Sequence, residues 1–187
     1  MDERLHFTVN VPRGLQRFRE LIIYVAKQSR DDPWFGAVKL NKILYRSDFL
    51  AFERFGVPLT GLRYFRLKAG PAPRAMIPVR RELEAEGAIQ IEHKPLGPRD
   101  QHRIIPLREP VLEHFTQDEI HLVDEVIREL RPMNATEASN ASHDIRWRVL
   151  NDRDDLPYEF AFLSDEPVTD DDVKRTKELA REWKWAT

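Results

Sequence analysis

Hydrophobic residues recur at helical spacing in the stretch of residues 39–87, around which the rest of the chain is organised. Its first half places apolar positions and one serine three and four residues apart, which predicts a core helix closed by Gly56. The predicted buried face consists of Leu40, Ile43, Leu44, Ser47, Leu50 and Ala51. The side chains predicted to point away from the core are Lys39, Lys42, Arg46 and Glu53.

The second half of this stretch alternates turns with short regular segments. Glycines and prolines surround an aromatic and basic segment at 64–68, and helical spacing then resumes up to Gly87, with Pro78 at the start of the regular helix. Apolar and polar residues alternate at 88–92, and apolar residues return at 101–107, which predicts two strands with a loop at 94–100. A helix followed by a hairpin has the outline of a winged helix.

Amphipathic patterns on the N-terminal side predict one further helix. Residues 1–12 are expected to form an N-terminal arm, and a helix is predicted from Arg13 to near Ser29. Trp34 and Phe35 follow an Asp-Asp-Pro turn and are predicted to be core aromatics.

The C-terminal side has clear helix starts. Thr116 with Glu119 and Asn134 with Glu137 have the spacing of capping boxes, in which two side chains satisfy free backbone N–H groups. Thr169 is predicted to cap a last helix whose first turn is acidic. The predicted buried side of that helix consists of Val173, Thr176, Ala180 and Trp183. Residues 158–162 alternate as in a strand, although an irregular packed segment fits the same pattern.

The composition limits the class of protein. With 187 residues, 41% hydrophobic and 33% charged, we expect a single mainly α domain of α+β type with a small β-hairpin. No apolar run is long enough for a membrane span, and residues 1–10 lack the apolar core of a secretory signal, so a cytoplasmic protein without membrane contact is expected. The absence of cysteine excludes disulfides, thiol nucleophiles and thiolate metal sites.

The charge is divided unevenly along the chain. Residues 1–108 carry 20 Lys and Arg against 12 Asp and Glu, a net charge of +8, whereas residues 109–187 carry 10 against 20, a net charge of −10. The basic half with the central motif therefore precedes an acidic helical half. Two surfaces that attract each other within the fold are the favoured interpretation, and a basic surface for an anionic partner is the alternative.

The search for catalytic chemistry is mostly negative. The six histidines lack metal-ligand spacing, and the glycines do not form a nucleotide-binding loop, so we predict no catalytic residue, no metal and no cofactor, and do not expect an enzyme. Asp48 lies beside the apolar face of the central helix, where a carboxylate needs partners. We favour a structural role, in which Asp48 binds to a nearby turn, to Arg46 or to Tyr45, over a role as a general base. His143 with Trp147 is likewise interpreted as fastening a small helix rather than as catalytic.

Basic side chains around the predicted helix and hairpin form the surface at which we expect a partner to bind. The candidates are Tyr64, Arg66, Lys68, Arg74, Arg80, Arg81, Lys94, Arg99 and Arg103. Such a surface would also fit the phosphates of DNA, which makes a winged-helix DNA-binding regulator the alternative function. The pI near 6.3 and the acidic residues of the RRELEAE segment weigh against DNA.

The same stretch resembles a known family. KLNKILYRSDF, then FGVPLTGLRYFRLKAGPAP, then LEAEG occur in an order and at distances similar to those of the Panacea domain, the SocA-like antitoxin family that is also labelled as phage-associated. The resemblance continues into NATEASNASHDIRW. The positions that match the motif are Lys39, Leu40, Lys42, Leu44, Tyr45, Asp48, Phe49, Gly56, Pro58, Thr60, Gly61, Tyr64, Gly70, Pro71, His143 and Trp147.

The resemblance implies a mostly helical domain with a small β element, found in bacterial and prophage toxin–antitoxin loci. Members neutralise unrelated toxins by direct contact, and some act as adaptors that present a toxin to an ATP-dependent protease. The implied partner is a cognate toxin, with a protease as a further partner for adaptors. A homodimer is compatible with the sequence, although no heptad seam predicts one.

Overall fold

The computed structural model describes residues 5–96, 99–167 and 169–183, and within them the chain is mainly α with a small β part. The α-helices are α1 (Gly14–Gln28), α2 (Ala37–Phe55), α3 (Met76–Ala85), α4 (Gln117–Leu130), α5 (Ala135–Ala141), α6 (Ile145–Arg148) and α7 (Asp170–Glu182). A 3-10 helix covers Tyr158–Phe162. The predicted fold class is confirmed.

Two small antiparallel sheets complete the fold. The first contains β1 (Tyr64–Phe65) between β2 (Ala72–Pro73) and β5 (Asp155–Leu156). The second is the hairpin of β3 (Ile89–Leu96) and β4 (Arg99–Pro106), in which Ile91 pairs with Ile104 and His93 with His102. The predicted loop at 94–100 is wrong in extent, because strand pairing continues to the pair of Leu96 and Arg99.

Local signals account for several helix ends. Thr116, Asn134 and Thr169 each accept a hydrogen bond from the backbone N–H three residues on, and each capping box is complete. Gly56 ends α2 in the left-handed conformation, with φ of 72°. These four predictions are confirmed, since each depends on groups only a few residues apart.

The main apolar core is shared by the two halves of the chain. It joins Phe18 of α1, Leu40 of α2 and Leu83 of α3 to Ile104 of the hairpin and Val123 of α4. A second, mostly aromatic cluster lies beside α2 and comprises Tyr45, Phe49, Tyr64, Leu156, Tyr158 and Ala161. Helix α2 contributes to both clusters and therefore forms the centre of the fold.

Oppositely charged side chains link the basic and the acidic half. Arg46 and Arg54 of α2 form ion pairs with Glu129 and Glu125 of α4, and Arg17 of α1 pairs with Glu119. These contacts support the interpretation that the two halves attract each other within the fold. Among the described residues, no helix is both long and apolar enough to cross a membrane.

Three predictions outside the central motif are wrong. Trp34 is 41% exposed, whereas its neighbour Phe35 is buried as expected. Residues 158–162 form a 3-10 helix rather than a strand. Of the thirteen described residues of α7, none is buried, although its spacing predicted a buried side. A periodic apolar pattern shows which side chains share a face and does not show whether another element covers that face.

Candidate functional site

The residues that carry the family resemblance converge on helix α2. Leu40 and Leu44 lie in the main core, and Tyr45 and Phe49 lie in the aromatic cluster. Polar residues of the same helix are buried beside them. The structure thus joins the motif into a continuous region built around one helix, with the turns at 58–61 and 69–71 packed against it.

Lys39 and Lys42 correct the prediction that both lysines point away from the core. Lys39 is 1% exposed, and its Nζ lies 2.5 Å from Asp32 Oδ2. The same ammonium group donates to the carbonyl oxygens of Arg131, at 3.0 Å, and Met133, at 2.7 Å. Lys39 therefore ties the beginning of α2 to the end of α4, because a buried ammonium group is stable only with such partners.

Lys42 is 3% exposed and donates from Nζ to the carbonyl oxygen of Pro71, at 2.9 Å. Gly70 lies directly over this amine with φ of 90°, and a Cβ at Gly70 would clash with Lys42 Nζ and with Ser142 Oγ. Burial favours the neutral amine and lowers the pKa of Lys42 to about 7. We call Lys42, Gly70, Pro71 and Ser142 the Lys42 cluster.

Asp48 lies six residues after Lys42 on α2 and is also buried. Its carboxylate accepts hydrogen bonds from Thr60 N, at 2.7 Å, from the Thr60 hydroxyl, and from the Tyr64 hydroxyl, at 2.9 Å. The Tyr158 hydroxyl lies 3.3 Å from the same carboxylate but donates at a shorter distance, 2.8 Å, to Leu62 O. We call Asp48, Thr60, Tyr64 and Tyr158 the Asp48 cluster.

The environment of Asp48 is that of a structural tie. Burial raises the pKa of its carboxyl, while the hydrogen bonds from Thr60 and Tyr64 lower that pKa. Of the three partners that the sequence suggested for Asp48, the nearby turn is the one observed. Arg46 pairs with Glu129 instead. In the same turn Gly61 has φ of 67°, and a Cβ there would clash with the backbone of the N-terminal arm at Val9.

His143 and Trp147 stack on each other, with ring centroids 3.9 Å apart. Trp147 donates from Nε1 to Leu67 O, at 2.8 Å, and the Arg66 guanidinium lies 3.8 Å from the centroid of the Trp147 ring. Arg66 also donates from Nε to Trp147 O, at 3.1 Å. Burial lowers the pKa of His143, and the charges of Lys42 and Arg66 lower it further. The stack therefore fastens α6 to the segment after β1 with a neutral imidazole.

The predicted partner-binding residues are distributed over different parts of the surface and the core. Tyr64 is buried in the Asp48 cluster, so it does not belong to the exposed surface on which it was expected. Arg66 is half-buried beneath its cation–π contact, and Lys68 is exposed. Arg80 is half-buried and Arg81 is exposed on α3.

Besides Arg66, the candidates Arg74 and Arg103 are engaged within the chain. Arg74 donates to the Asp155 carboxylate and to Arg153 O. Arg103 on the hairpin donates to the carbonyl oxygens of Asp32 and Arg30. Lys94 on the hairpin is exposed, and the side chain of Arg99 lies outside the described part of the structure.

The sequence did not single out Tyr158 or Asp32 as partners of the motif. Tyr158 completes the Asp48 cluster from 110 residues away, and Asp32 was interpreted only as a turn residue. A buried acid needs donors and a buried lysine needs acceptors, but the sequence does not identify them when they are distant along the chain.

Chemically, the arrangement is suited to holding turns in place. The Asp48 carboxylate is buried and surrounded by donors, so a substrate has no access to it. Within the described residues, no group of three or more His, Cys, Asp and Glu side chains could hold a metal ion.

A family model described as antitoxin SocA-like, Panacea domain, matches residues 40–148, which is more than half of the chain. The matched segment extends from α2 to α6 and contains the Lys42 cluster, the His143–Trp147 stack and all of the Asp48 cluster except Tyr158. No curated protein and no solved structure matches the chain.

Proposed function

The chain belongs to the SocA-like antitoxin family with the Panacea domain, and we propose that it neutralises the cognate toxin of a toxin–antitoxin locus by direct contact. The observation that carries the proposal is the family match over residues 40–148. The matched residues build a rigid frame around α2 through the Asp48 and Lys42 clusters. A rigid frame supports binding, because side chains that are already fixed lose less entropy when a partner docks.

Co-expression tests this function directly. Each neighbouring open reading frame of the native locus is induced alone and together with this chain, and growth and co-purification are measured. We expect one neighbour to arrest growth alone, to be silenced by this chain and to co-purify with it. If no neighbour is toxic or forms a complex, the antitoxin function is contradicted.

Charge variants then test the predicted basic surface. Lys68→Glu and Arg81→Glu change exposed residues of that surface. Lys174→Glu is a matched control on α7, outside the segment matched by the family model. We expect the first two variants to weaken neutralisation and the control to leave it unchanged. Equal neutralisation by all three, at equal protein levels, would place the toxin contact elsewhere.

A protease-adaptor role is a finer part of the same proposal. If the chain delivers the toxin to an ATP-dependent protease, the half-life of the toxin in cells will shorten when the chain is present and lengthen when the protease is deleted. An unchanged half-life with full neutralisation would leave direct inhibition as the mechanism.

DNA binding has weaker support than toxin binding. A helix followed by a hairpin is present in α3, β3 and β4, but Arg74 and Arg103 donate to acceptors within the chain. Duplex affinity that falls steeply with salt concentration would favour the DNA-binding function. Co-expression with toxin and salt titration on DNA give independent answers.

A further inference from the structure

Two histidines face each other across the hairpin. His93 of β3 and His102 of β4 are directly paired in the antiparallel register, and their ring centroids lie 4.4 Å apart at an interplanar angle of 56°. The two residues are nine positions apart along the chain, which is not a recognised metal-ligand spacing, so the sequence alone predicted no metal. Strand pairing, rather than sequence spacing, brings the two imidazoles together.

Both imidazoles are free to bind a ligand. His93 is exposed and His102 is half-buried. Within the part of the chain that the structure describes, neither ring is hydrogen-bonded or ion-paired to another group. By contrast, the ring of His6 is hydrogen-bonded to Glu159, at 2.6 Å. Each ring of the hairpin pair therefore keeps a nitrogen lone pair that no other part of the fold uses.

The arrangement of the two rings suits chelation of a transition-metal cation. Ligating imidazole nitrogens lie about 2.0–2.1 Å from such a cation, so two of them on one cation are about 3 Å apart. Because the nitrogens lie at the edges of the rings, centroids 4.4 Å apart allow one nitrogen of each ring to reach that separation. The lone pairs lie in the ring planes, and planes tilted by 56° can converge on one point, whereas parallel planes cannot.

Asp100 adds negative charge on the same face of the hairpin. Residues two apart on a strand share a face, so Asp100 lies on the face of His102. Both side chains line a groove of about 740 Å³, and Asp100 is exposed. A carboxylate near the two rings favours a cation over an anion, and the groove provides a path from solvent. Asp100 is not assigned as a ligand, since no three such side chains among the described residues could hold a metal ion together.

The backbone of His102 is fixed by the residues on either side of it. Gln101 donates from Nε2 to Phe35 O, at 2.8 Å, and Arg103 donates from Nη1 to Asp32 O, also at 2.8 Å. Both contacts hold β4 against the turn before α2. A pair of ligands on fixed backbone loses little entropy when it binds, which favours chelation over binding by one imidazole at a time.

We propose that His93 and His102 bind one borderline transition-metal cation, of the class of Cu²⁺, Ni²⁺ and Zn²⁺, through one nitrogen of each imidazole. Water completes the coordination, and Asp100 contributes through its charge. Imidazole suits these cations, whereas Mg²⁺ and Ca²⁺ prefer oxygen ligands. The bound cation cross-links β3 to β4. This site is independent of the proposed antitoxin function, and its test needs no toxin.

Cu²⁺ is the probe, because within this class it binds a given site most tightly and its electron spin reports its ligands. The full chain is titrated with Cu²⁺ in a non-coordinating buffer, and the dissociation constant is measured by calorimetry. Electron-spin-echo envelope modulation counts the imidazoles bound to the first equivalent of Cu²⁺. We expect two. A count of one or none would overturn the proposal.

His93→Gln and His102→Gln each remove one ligand, and His121→Gln is the matched control, because His121 is an exposed histidine on α4. We expect either ligand variant to bind Cu²⁺ about tenfold or more weakly, since the second imidazole acts at a high effective concentration. The spectrum of each should then report fewer than two imidazoles. His121→Gln should leave the affinity within about twofold, because this residue lies on another element. Unchanged affinity in either ligand variant, with a native circular dichroism spectrum, would contradict the assignment.

Competition between cations tests the ligand type separately. Zn²⁺ should displace Cu²⁺ from the wild type when it is in excess, whereas the same excess of Mg²⁺ should not, because Mg²⁺ prefers oxygen ligands. Displacement by Mg²⁺ would mean that carboxylates hold the cation and would overturn the proposal. Zn²⁺ should also slow amide hydrogen exchange in β3 and β4 of the wild type but not of His93→Gln, since a ligand stabilises the form that binds it. Equal slowing in both proteins would contradict a cross-link through the histidine pair.

Discussion

At the scale of single residues, the buried charges of α2 distinguish this chain from a simple amphipathic helix. Lys39, Lys42 and Asp48 are each almost completely buried, and each is held by groups from other parts of the chain. Removal of one partner from such a cluster leaves the others without hydrogen bonds, which costs more than an average surface contact contributes.

Asp48→Ala is expected to lower the free energy of unfolding by about 1–3 kcal/mol, because it leaves the buried Thr60 N–H without its acceptor. Urea denaturation measures this difference. Glu53→Ala, which removes an exposed carboxylate from the same helix, is the control and should change stability by less than about 0.5 kcal/mol. Equal stability of the wild type and Asp48→Ala would contradict the structural role of Asp48.

Lys42 predicts a particular dependence of stability on pH. Its pKa is lowered from 10.5 to about 7 in the fold, so between these values the unfolded chain binds more protons than the folded chain. Stability should therefore rise with pH from about 7 upward, with a slope of up to about 1.4 kcal/mol per pH unit.

Lys42→Met removes this titration. The difference in unfolding free energy between the variant and the wild type, measured at pH 7, 8 and 9, isolates the contribution of Lys42 from those of other groups. We expect the wild-type curve to rise more steeply than the variant curve. Parallel curves would mean that Lys42 is charged in the folded state across this range.

At the scale of structural elements, the turn at residues 69–71 is held against both α2 and α5. Pro71 O accepts from Lys42, and Ala69 O accepts from Ser139 of α5. Gly70 needs both its positive φ and its missing side chain, because Lys42 and Ser142 occupy the space that a Cβ would take.

Gly70→Ala and Gly87→Ala separate these two requirements. Gly87 has a positive φ of 71°, but the space around a Cβ there is open. Its substitution should therefore lower the free energy of unfolding by only about 1 kcal/mol, the cost of placing alanine in a left-handed backbone conformation. Gly70→Ala should cost about 1–3 kcal/mol more, because the new methyl group overpacks the Lys42 cluster. Chemical denaturation of the two variants side by side checks this, and equal costs would contradict the close packing at Gly70.

At the scale of the whole molecule, the basic and the acidic half are expected to unfold together. Helices α2 and α4 share one apolar core and are bridged by Arg46–Glu129 and Arg54–Glu125. These half-exposed ion pairs contribute little each, so the shared core couples the two halves.

Native-state hydrogen exchange tests this coupling. The most protected amides of α2 and α4 should exchange with the same opening free energy, equal to that of global unfolding. Helix α7, which has no buried residue among those described, should exchange by local opening at a much lower free energy and serves as the internal reference. A clearly lower value for α4 than for α2 would indicate two separately folding units.

The sequence by itself determined the features that depend on neighbouring residues. The capping boxes at Thr116 and Asn134, the end of α2 at Gly56 and the order of helix and hairpin all follow from local spacing and backbone preference. The motif at residues 39–87 also identified the family, which the match over residues 40–148 confirms.

Only the tertiary structure decided which faces are covered. Lys39 and Lys42 looked like solvent-facing charges, yet distant carbonyl groups make their burial stable. Trp34 and one side of α7 were predicted to be buried, yet Trp34 is 41% exposed and no described residue of α7 is buried. A local pattern orients a side chain relative to its own helix, whereas burial depends on which other segments fold against it.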